Sequence, residues 1–407
     1  MPPAIKAVKN VSRKQKVSGP VPSRGFTENN SVELIRGGKD YFDLLIKLIQ
    51  AAKDTIHLQT YIFDDDETGK SVAHALKEAA ARNVKVYLLL DGYASQGLSK
   101  QFINDLKTAG VQFRYFQPLL KSKYFYFGRR LHHKVTVIDT FDALVGGVNI
   151  TDRYNDVDGK QAWLDFAVHV RGAAAQQLCV VCWKSWKNFP QHMGMTPCET
   201  KEMNLQIPEE GKTRVMVRRN DWVRRKNQVT GTYSRLFRSA NKEVTILCSY
   251  FLPGRTLRRL ISRACRRGVQ FRLILAGVSD VKTAKTAERY IYSWLFRHGI
   301  KIYEYQKTVL HGKLAIGDRE WMTIGSYNIN DLSAFASIEL NLDIYNKAFA
   351  VQAENTMNEI IKKSCVEITA EKFEKSSNVF TRFRQWFAYR VIQFSLFLFT
   401  FYFRKHR

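Results

Sequence analysis

The stretch "LHHKVTVIDTFDALVGGVN", from Leu131 to Asn149, combines a strand pattern with residues that carry chemistry. Its apolar alternation up to Ile138 predicts a β-strand, in which residues two apart face the same way. His132 and Lys134 then share one face, and His133 points to the other. A base beside a cation suits an anionic centre, although a single pair of this kind is also typical of a basic strand edge.

The same pattern returns in the second half of the chain as "LHGKLAIGDREWMTIGSYN", from Leu310 to Asn328. A histidine, a lysine, an aspartate and an asparagine stand at the same intervals in both stretches. A complete spaced pattern found twice indicates an internal repeat and is not expected by chance. The matched residues are His132, Lys134, Asp139, Gly146, Gly147 and Asn149 in the first copy and His311, Lys313, Asp318, Gly325, Ser326 and Asn328 in the second.

Three further pairs of segments match between the two halves, and they alternate strand-like and helix-like patterns. This alternation, with β-branched apolar strands, predicts an α/β fold. The chain is expected to hold two copies of one lobe, each a mixed, mainly parallel sheet flanked by helices. The matched segments are His57–Phe63 with Ile246–Leu252, Ala79–Gly92 with Ala264–Gly277, and Ala109–Gln117 with His298–Gln306.

Length and charge bound the possibilities. The chain has 407 residues, enough for two ordinary domains, and its composition is that of a globular protein. The net charge of +27 indicates an anionic partner, which could be nucleic acid, an acidic membrane surface or a phosphorylated substrate. The predicted divisions are a disordered basic tail at 1–30, an N-terminal lobe at 31–200, a C-terminal lobe at 201–370 and a hydrophobic, basic tail at 380–407.

The six cysteines are scattered and show no disulfide framework. Because the N-terminus also lacks a secretory signal, we expect a reducing compartment. Cys179 and Cys182 form a C-x-x-C sequence inside a predicted helix, but no further ligands follow at the spacing of a zinc site. These two side chains are therefore expected to pack in the core.

Two histidines and two lysines at matched positions suit attack on a phosphodiester. A neutral imidazole can attack phosphorus and form a phosphohistidine, while a second imidazolium protonates the departing alkoxide and later deprotonates the incoming alcohol. Lys134 and Lys313, with the amides of Asn149 and Asn328, are expected to bind the phosphate oxygens and neutralise their charge. Such a site needs no metal or other cofactor, and the sequence shows no carboxylate cluster that would hold a metal.

Each histidine is also expected to have a carboxylate partner that fixes its tautomer. Asp165 and Glu339 lie downstream on predicted strands and are the candidates, although either could be an ordinary strand-edge carboxylate. Asp139 and Asp318 complete the two predicted catalytic sets. Because each ends the first strand of its motif, we expect it to hold the loop geometry more than to contact substrate.

The patterns HxKxxxxDxxxxxxGGxN and HxKxxxxDxxxxxxGSxN resemble the two motifs of the phospholipase D superfamily. The resemblance covers roughly residues 31–370, and "YIFDDDETG" (Tyr61–Gly69) and "SYFLPG" (Ser249–Gly254) are most similar to bacterial cardiolipin synthases. The chain does not begin with two membrane spans, so it is similar to the shorter type of these enzymes. The resemblance implies two α/β lobes related by a pseudo-twofold axis, one active site at their interface and phosphatidyl transfer through a histidine, with His132 favoured as the nucleophile.

The function that this resemblance implies is a phosphatidyl transferase that makes cardiolipin, either from two phosphatidylglycerols with release of glycerol or from one phosphatidylglycerol and another phospholipid. The alternative is a phosphodiesterase on the same scaffold, a lipid hydrolase or nuclease with water as acceptor. A third possibility is an inactive lipid-binding protein, which the two complete motifs disfavour. One chain is sufficient for one active site, and the sequence does not predict an oligomeric state.

Two segments outside the motifs bear on the partner. The tail from Trp386 to Arg407 has an uncharged part, Val391–Phe403, that is too short to span a bilayer. Basic residues flank this part on both sides, so the tail is expected to lie on an anionic membrane surface. The alternative is a helix that packs against the rest of the protein. The segment Pro118–Arg130 alternates basic and aromatic residues, expected at the mouth of the site, which suits lipid or single-stranded nucleic acid. The hydrophobic tail favours lipid, so we expect a peripheral or monotopic protein on the cytoplasmic face of a bacterial inner membrane.

Overall fold

The computed structural model describes residues 25–118, 129–187, 198, 212–335 and 337–404. The first strand begins at Thr27, so the last four residues of the predicted disordered tail are in fact part of the sheet. These four residues, TENN, are polar and show no apolar alternation, and among them only Asn30 is buried. Asn30 is fully buried, and its amide donates to the carbonyl oxygens of Thr27 and Thr213. Residues 1–24 lie outside the described part of the chain.

The strands of the described chain alternate with helices in both halves. The strands are β1 (Thr27–Arg36), β2 (Thr55–Thr60), β3 (Lys85–Asp91), β4 (Gln112–Phe116), β5 (Arg130–Leu131), β6 (Lys134–Ile138), β7 (Asp142–Gly146), β8 (Phe166–Gly172), β9 (Thr213–Asp221), β10 (Lys226–Asn227), β11 (Glu243–Cys248), β12 (Gln270–Val278), β13 (Lys301–Val309), β14 (Lys313–Gly317), β15 (Trp321–Gly325), β16 (Ser337–Tyr345) and β17 (Cys365–Ile368).

The helices cover the faces of the sheet. They are α1 (Lys39–Ala51), α2 (Glu67–Ala81), α3 (Lys100–Thr108), α4 (Ala173–Lys187), α5 (Gln228–Ser239), α6 (Arg255–Arg266), α7 (Lys282–Tyr290), α8 (Tyr292–Phe296), α9 (Asp331–Phe335), α10 (Lys347–Ser364), α11 (Ala370–Lys375) and α12 (Val379–Arg404).

The sheet repeats the same strand order in both lobes. In the N-terminal half it runs β4-β3-β2-β6-β7-β8-β1, and in the C-terminal half β13-β12-β11-β14-β15-β16-β9. β1 pairs with β9, which joins the halves. The predicted α/β fold of two related lobes is confirmed. The sheet is mixed. The outer three strands of each strand order pair in parallel, and the remaining pairings in these orders, including the motif hairpins β6–β7 and β14–β15, are antiparallel.

Three apolar cores hold this sheet. One lies under α1 and α2 in the N-terminal lobe, and one lies under α5, α6 and α8 in the C-terminal lobe. The third is shared by the lobes, because strands of both halves pack there against α4 and α10. Such a shared core fixes the position of one lobe relative to the other, which a site between the lobes requires. Its buried members include Val135, Val168, Leu178, Trp183, Leu314, Leu340 and Met357.

The two cysteines of the C-x-x-C sequence have different environments. Cys182 is buried and free, as expected of a packing residue. Cys179 is also buried but forms a disulfide with Cys198, so the expectation that it only packs was wrong. The pairing could not be predicted from spacing, because 19 positions separate the two cysteines and only the chain path brings them together.

The C-terminal tail is one helix, α12, with two different faces. Its inner face packs on α7, where Tyr389 and Tyr290 have ring centroids 4.8 Å apart and Ala388 is buried. Its outer face is apolar and exposed. None of the helices in the described residues is long and apolar enough to cross a membrane. The exposed apolar residues of α12 are Val379, Phe380, Phe383, Trp386, Phe387, Val391 and Phe394.

Candidate active site

The first histidine is held by the opposite lobe. His132 follows β5, which pairs in parallel with β16 of the C-terminal lobe, and its backbone N–H donates to the carbonyl of Ile338. Glu339, the next residue on β16, is fully buried, and its Oε2 lies 2.9 Å from Nδ1 of His132. The carboxylate accepts from Nδ1–H, so the lone pair of Nε2 is left for the site.

The second histidine repeats this arrangement with the lobes exchanged. The backbone N–H of His311 donates to the carbonyl of Leu164 in the N-terminal lobe. The adjacent Asp165 is fully buried, and its Oδ2 lies 2.7 Å from Nδ1 of His311. Each histidine therefore takes its carboxylate from the other lobe, which the sequence could not indicate because the partners are 207 and 146 positions away.

The two lysines are buried beside the histidines. Lys134 Nζ donates to the carbonyl of His132 at 2.6 Å, and its ammonium lies 5.2 Å from the ring centroid of Tyr61. Lys313 donates to the carbonyl of His311, and its Nζ lies 3.0 Å from Nδ1 of the same histidine. Burial and the charge of Lys313 lower the pKa of Lys134 to about 7, and burial also lowers the pKa of Lys313.

The pKa values of both histidines are lowered in the free protein. For His132 the cause is burial, opposed by the charge of Glu339. Burial and the charge of Lys313 lower the pKa of His311 to about 3, against the pull of Asp165. A buried cluster that already holds two lysines thus favours neutral imidazoles until an anion arrives. The charge of Lys313 in the second motif also lowers the pKa values of Lys134 and His132 in the first, so the charges of the two motifs lie near each other at the lobe interface.

The two predicted phosphate-binding asparagines differ in what they donate. Asn149 Oδ1 accepts from the backbone N–H of Ile62, while its amide donates to the hydroxyl of Tyr154 at 3.0 Å. Asn328 Oδ1 accepts from the hydroxyl of Ser249 at 2.7 Å. Within the described residues, the amide N–H groups of Asn328 have no protein acceptor, so they are available to a substrate oxygen.

The residue after the first glycine differs between the motifs for a steric reason. A Cβ at Gly147 would collide with the carboxylate of Asp165. In the other copy Ser326 stands at that position and donates its hydroxyl to Oε2 of Glu339. The sequence difference between Gly-Gly and Gly-Ser therefore follows from how closely each carboxylate approaches the backbone.

Asp139 and Asp318 lie at the other end of β6 and β14 from the histidines. Asp139 accepts three backbone N–H bonds of 2.8 Å from residues 53–55, and Asp318 accepts three of 2.8–2.9 Å from residues 241–243. Both have positive φ angles, 49° and 52°, which aspartate tolerates better than most residues. This location agrees with a loop-holding role and places neither carboxylate at the histidines.

Aromatic side chains around the histidines were missed in the sequence. The ring of Tyr61 lies 5.0 Å from His132, and the rings of Tyr154 and Trp163 lie 5.1 and 6.2 Å from His311. Tyr250, which matches Tyr61 in the repeat, instead donates its hydroxyl to Asp280 at 2.5 Å. The repeat itself could have drawn attention to Tyr61 and Tyr250, because both follow the same strand in their lobes.

The basic and aromatic segment before the first motif is only partly described, since residues 119–128 lie outside the described chain. Arg129 was expected at the mouth of the site but is buried, with its guanidinium paired to both oxygens of Asp221. That partner lies on β9, 92 positions away. Arg130 lies 3.9 Å from the buried carboxylate of Asp91 and over the ring of Tyr93. Among the described residues, no group of three or more His, Cys, Asp or Glu side chains could hold a metal ion.

Comparison with known proteins connects this site to one family. A family model described as "Cardiolipin synthase, PLD-like domain" matches residues 45–166 and 233–361, so each matched segment contains one motif. Cardiolipin synthase B of Salmonella typhi is 33% identical over 86% of this chain and 85% of its own length. Cardiolipin synthase B of Escherichia coli K12 is 31% identical, with 84% and 83% covered. A cardiolipin synthase of Clostridium perfringens is 28% identical, with 86% and 74% covered.

Two solved structures share the fold at lower identity. The phosphatidylserine synthase of Haemophilus influenzae has a TM-score of 0.66 at 14% identity, over 91% of this chain and 95% of that one. The polyphosphate kinase of Porphyromonas gingivalis has a TM-score of 0.56 at 15% identity, over 90% and 53%. At such identities the likeness concerns the arrangement of strands and helices alone.

Proposed function

This chain belongs to the family of phospholipase D-like cardiolipin synthases, and we propose that it converts two phosphatidylglycerols into cardiolipin and glycerol through a phosphohistidine. It is an enzyme of the phospholipase D superfamily. The observation that carries the proposal is the pair of histidines, each held at Nδ1 by a buried carboxylate of the opposite lobe. Two such imidazoles in one site match a reaction that needs one nucleophile and one proton carrier.

In the first half-reaction, Nε2 of His132 attacks the phosphorus of one phosphatidylglycerol. The P–N bond forms as the bond from phosphorus to the headgroup glycerol oxygen breaks, and that oxygen takes the proton from Nε2 of His311. The assignment of attack to His132 rests on the family resemblance. The anionic phosphodiester favours the charged form of a neighbouring imidazole, which counteracts the lowered pKa of His311 in the free protein.

In the second half-reaction, a headgroup hydroxyl of another phosphatidylglycerol attacks the phosphohistidine. The new P–O bond forms, the P–N bond breaks, and the hydroxyl proton passes to Nε2 of His311, which restores the starting state. Lys134, Lys313 and the free amide of Asn328 stabilise the charge on the phosphate oxygens. The lysines supply positive charge of the kind that a divalent cation brings to other phosphoryl-transfer sites.

The substrate lies in a membrane, and we assign the contact with its surface to the outer face of α12. Four phenylalanines and a tryptophan on that face are exposed. Arg382, Arg384 and Arg390 on the same helix add charge that an anionic surface attracts. Because the inner face of α12 packs on α7, the helix can contact a bilayer while fixed to the C-terminal lobe. The cytoplasmic face of a bacterial inner membrane is the location we expect.

The test is to incubate the purified protein with phosphatidylglycerol vesicles and to resolve lipids and glycerol by mass spectrometry. We expect cardiolipin and glycerol in equal amounts, and the same yield with excess EDTA once cation effects on the vesicles are controlled. Phosphatidic acid without cardiolipin would refute the transferase and indicate a hydrolase. A loss with EDTA that one specific metal restores would refute the metal-free chemistry.

A further inference from the structure

A group of basic side chains lies behind the active site, on the other face of the sheet. Arg219 on β9 pairs in register with Leu340, whose side chain is in the core shared by the lobes. The adjacent register pair is Asn220 with Glu339, and Glu339 faces His132. Successive strand residues point to opposite faces, so Arg219 points away from the catalytic histidine. We call this group the Arg219 cluster; it consists of Arg129, Lys184, Arg219, Asp221, Arg224 and Lys226.

The chain path brings these residues to one place. Asp221 lies two positions after Arg219 on the same strand, so both side chains project from the same face. Lys226 on β10 is the register partner of Asp221 and projects beside it. Arg224 lies in the turn between these strands, and its guanidinium donates to the carbonyl of Lys184 at the end of α4.

The cluster has far more positive than negative charge. Asp221 is fully buried, and both of its oxygens accept from Arg129, at 3.2 and 2.9 Å. Arg224 Nε lies 3.7 Å from the same carboxylate. Within the described residues, Lys184, Arg219 and Lys226 form no ion pair. One carboxylate therefore stands against three guanidinium and two ammonium groups.

Arg219 is the group for which this imbalance matters most. Its side chain is buried, with only 4% of the residue exposed, and its Nε has no hydrogen-bond partner. Arg218, the preceding residue, is also largely buried, but its Nε donates to the carboxylate of Asp343 at 2.8 Å. In the part of the chain that the structure describes, Arg219 lacks such a carboxylate partner at its Nε. Burial lowers the pKa of Arg219 to about 10, against the pull of Asp221. An unpaired buried cation is costly unless an anion compensates it.

We propose that the Arg219 cluster binds the phosphate group of an anion at a site separate from the catalytic histidines. Guanidinium groups donate two parallel hydrogen bonds to phosphate oxygens, and lysine adds a point charge. The phosphate can belong to a soluble molecule or to a lipid headgroup, since both present the same oxygens. Phosphate binding by this cluster depends neither on catalysis nor on which histidine is the nucleophile.

The test measures binding of radiolabelled inorganic phosphate to the full chain by equilibrium dialysis at constant ionic strength. In Arg219→Met we expect the number of phosphates bound per chain to fall by one, while the catalytic site keeps any phosphate of its own. The control is Arg225→Gln, which removes an exposed charge from the same turn and should bind as the wild type does. Equal binding by Arg219→Met and the wild type would overturn the proposal.

Thermal unfolding of the same proteins provides a second test. Without phosphate, Arg219→Met should unfold at the same temperature as the wild type or higher, because it lacks the unpaired cation. Added phosphate should raise the midpoint of the wild type more than that of the variant. If Arg219→Met does not fold, Arg224→Gln at the edge of the cluster should weaken phosphate binding roughly tenfold, in line with loss of one charge-assisted hydrogen bond. Unchanged affinity in that variant would also overturn the site.

Competition identifies the source of the phosphate. If soluble glycerol phosphate displaces the radiolabel from the wild type but not from Arg219→Met, the natural ligand of the cluster is a soluble phosphate compound. Displacement only by phosphatidylcholine vesicles containing phosphatidic acid identifies a lipid headgroup. Either result supports the site. If none of these phosphates binds in a way that depends on Arg219, the chain itself supplies the counter-charge and the proposal is wrong.

Discussion

His132 and His311 are oriented by the same device, a buried carboxylate of the opposite lobe, but the walls around them differ. Among the described residues, Tyr61 is the aromatic contact of His132, whereas Tyr154 and Trp163 both contact His311. The shared part corresponds to chemistry that both half-reactions need, namely an imidazole with a fixed tautomer. The aromatic residues that differ between the two histidines can distinguish the phosphatidyl donor from the acceptor.

The asymmetry extends to charges near the first motif. Asp91 and Arg130 lie 3.9 Å apart beside His132, but the matched positions in the C-terminal lobe are Ala276 and Val309. An apolar pair therefore stands in one lobe where the other has an ion pair. A duplicated lobe can therefore keep its strand order while the residues at the strand ends change, because the apolar cores depend little on them.

Loss of either histidine is the largest effect that we expect. His132→Ala and His311→Ala should each reduce turnover by roughly 10⁴-fold or more, and the double variant should lose little further, because nucleophile and proton carrier act as a unit. The measurement is cardiolipin formed per chain on vesicles, with His74→Ala on the exposed face of α2 as the control. A single variant that keeps a tenth of the activity would mean that the copies are not paired in one site. Trapping of a phosphohistidine on His311 alone would reverse the assigned roles.

Loss of either carboxylate should have a smaller and equal effect in the two copies. Glu339→Gln and Asp165→Asn should each lower kcat by roughly 10–100-fold, as for other groups that orient a histidine, with little change in KM. In the His132→Ala background, Glu339→Gln should cost nothing more. Glu359→Gln, on the exposed side of α10, is the control. If Glu339→Gln instead raised KM alone, the residue would bind substrate rather than position His132.

The tail adds a difference between the lobes, because α12 packs on the C-terminal lobe. Replacing Phe380, Phe383, Phe387 and Phe394 by serine should weaken binding to anionic vesicles at least about tenfold, since each phenylalanine loses apolar burial in the bilayer surface. Activity on detergent-dispersed lipid should fall far less. Gln393→Ser on the same helix is the matched control. Unchanged vesicle binding by a folded variant would show that this face is not the anchor.

The pH dependence of stability tests the burial of Lys134. The pKa of Lys134 is about 7 in the folded chain against 10.5 for an ordinary lysine, so between these values the unfolded chain binds the extra proton. The free energy of unfolding should therefore gain a contribution from Lys134 as pH rises from about 7 toward 10.5. Lys134→Met should lose that contribution, as measured by denaturant unfolding at pH 7 and pH 9. An identical pH dependence in the variant would show that burial does not lower the pKa of Lys134 in the folded chain.

The smallest effect is expected where the motifs differ by one residue. Ser326→Gly removes a hydrogen bond to Glu339 and should lower kcat a few-fold, in line with about 1 kcal/mol for one such bond. The reverse exchange, Gly147→Ser, should be worse because its side chain meets the carboxylate of Asp165. If both exchanges were neutral, the difference between Gly-Gly and Gly-Ser would have no bearing on carboxylate position.

The repeat made the fold predictable, because the matched segments became matched strands in the same order. Periodicity is a local property, so it located β2, β3, β6 and their counterparts without any knowledge of contacts. The start of β1 was missed because its residues are polar and its partners on β9, Val215 and Thr213, lie 188 and 183 positions away. The disulfide of Cys179 was missed for the same reason.

The residues of the candidate site were named from the sequence, but their arrangement was not. Asp165 and Glu339 were candidates by position in the repeat, yet the pattern gave no reason to pair each with the histidine of the other half. Tyr154 and Trp163 belong to no motif, and they lie near His311 where the chain bridges from Leu164 to Leu310 of the other lobe. Contacts across a lobe interface depend on the docking of two folded units, which spacing along one chain does not encode.

The pairing of each histidine with a carboxylate of the other lobe also has a consequence for how the protein evolved. A protein with a single lobe of this kind carries a histidine and a carboxylate that cannot reach each other, so it could complete a site only by associating with a second copy of itself. Two such copies would give two identical half-sites. Fusion of both lobes into one chain removes the dependence on concentration and lets the halves mutate separately. The differences between Asp91 and Ala276, or between Gly147 and Ser326, are changes that a symmetric dimer could not have acquired one side at a time.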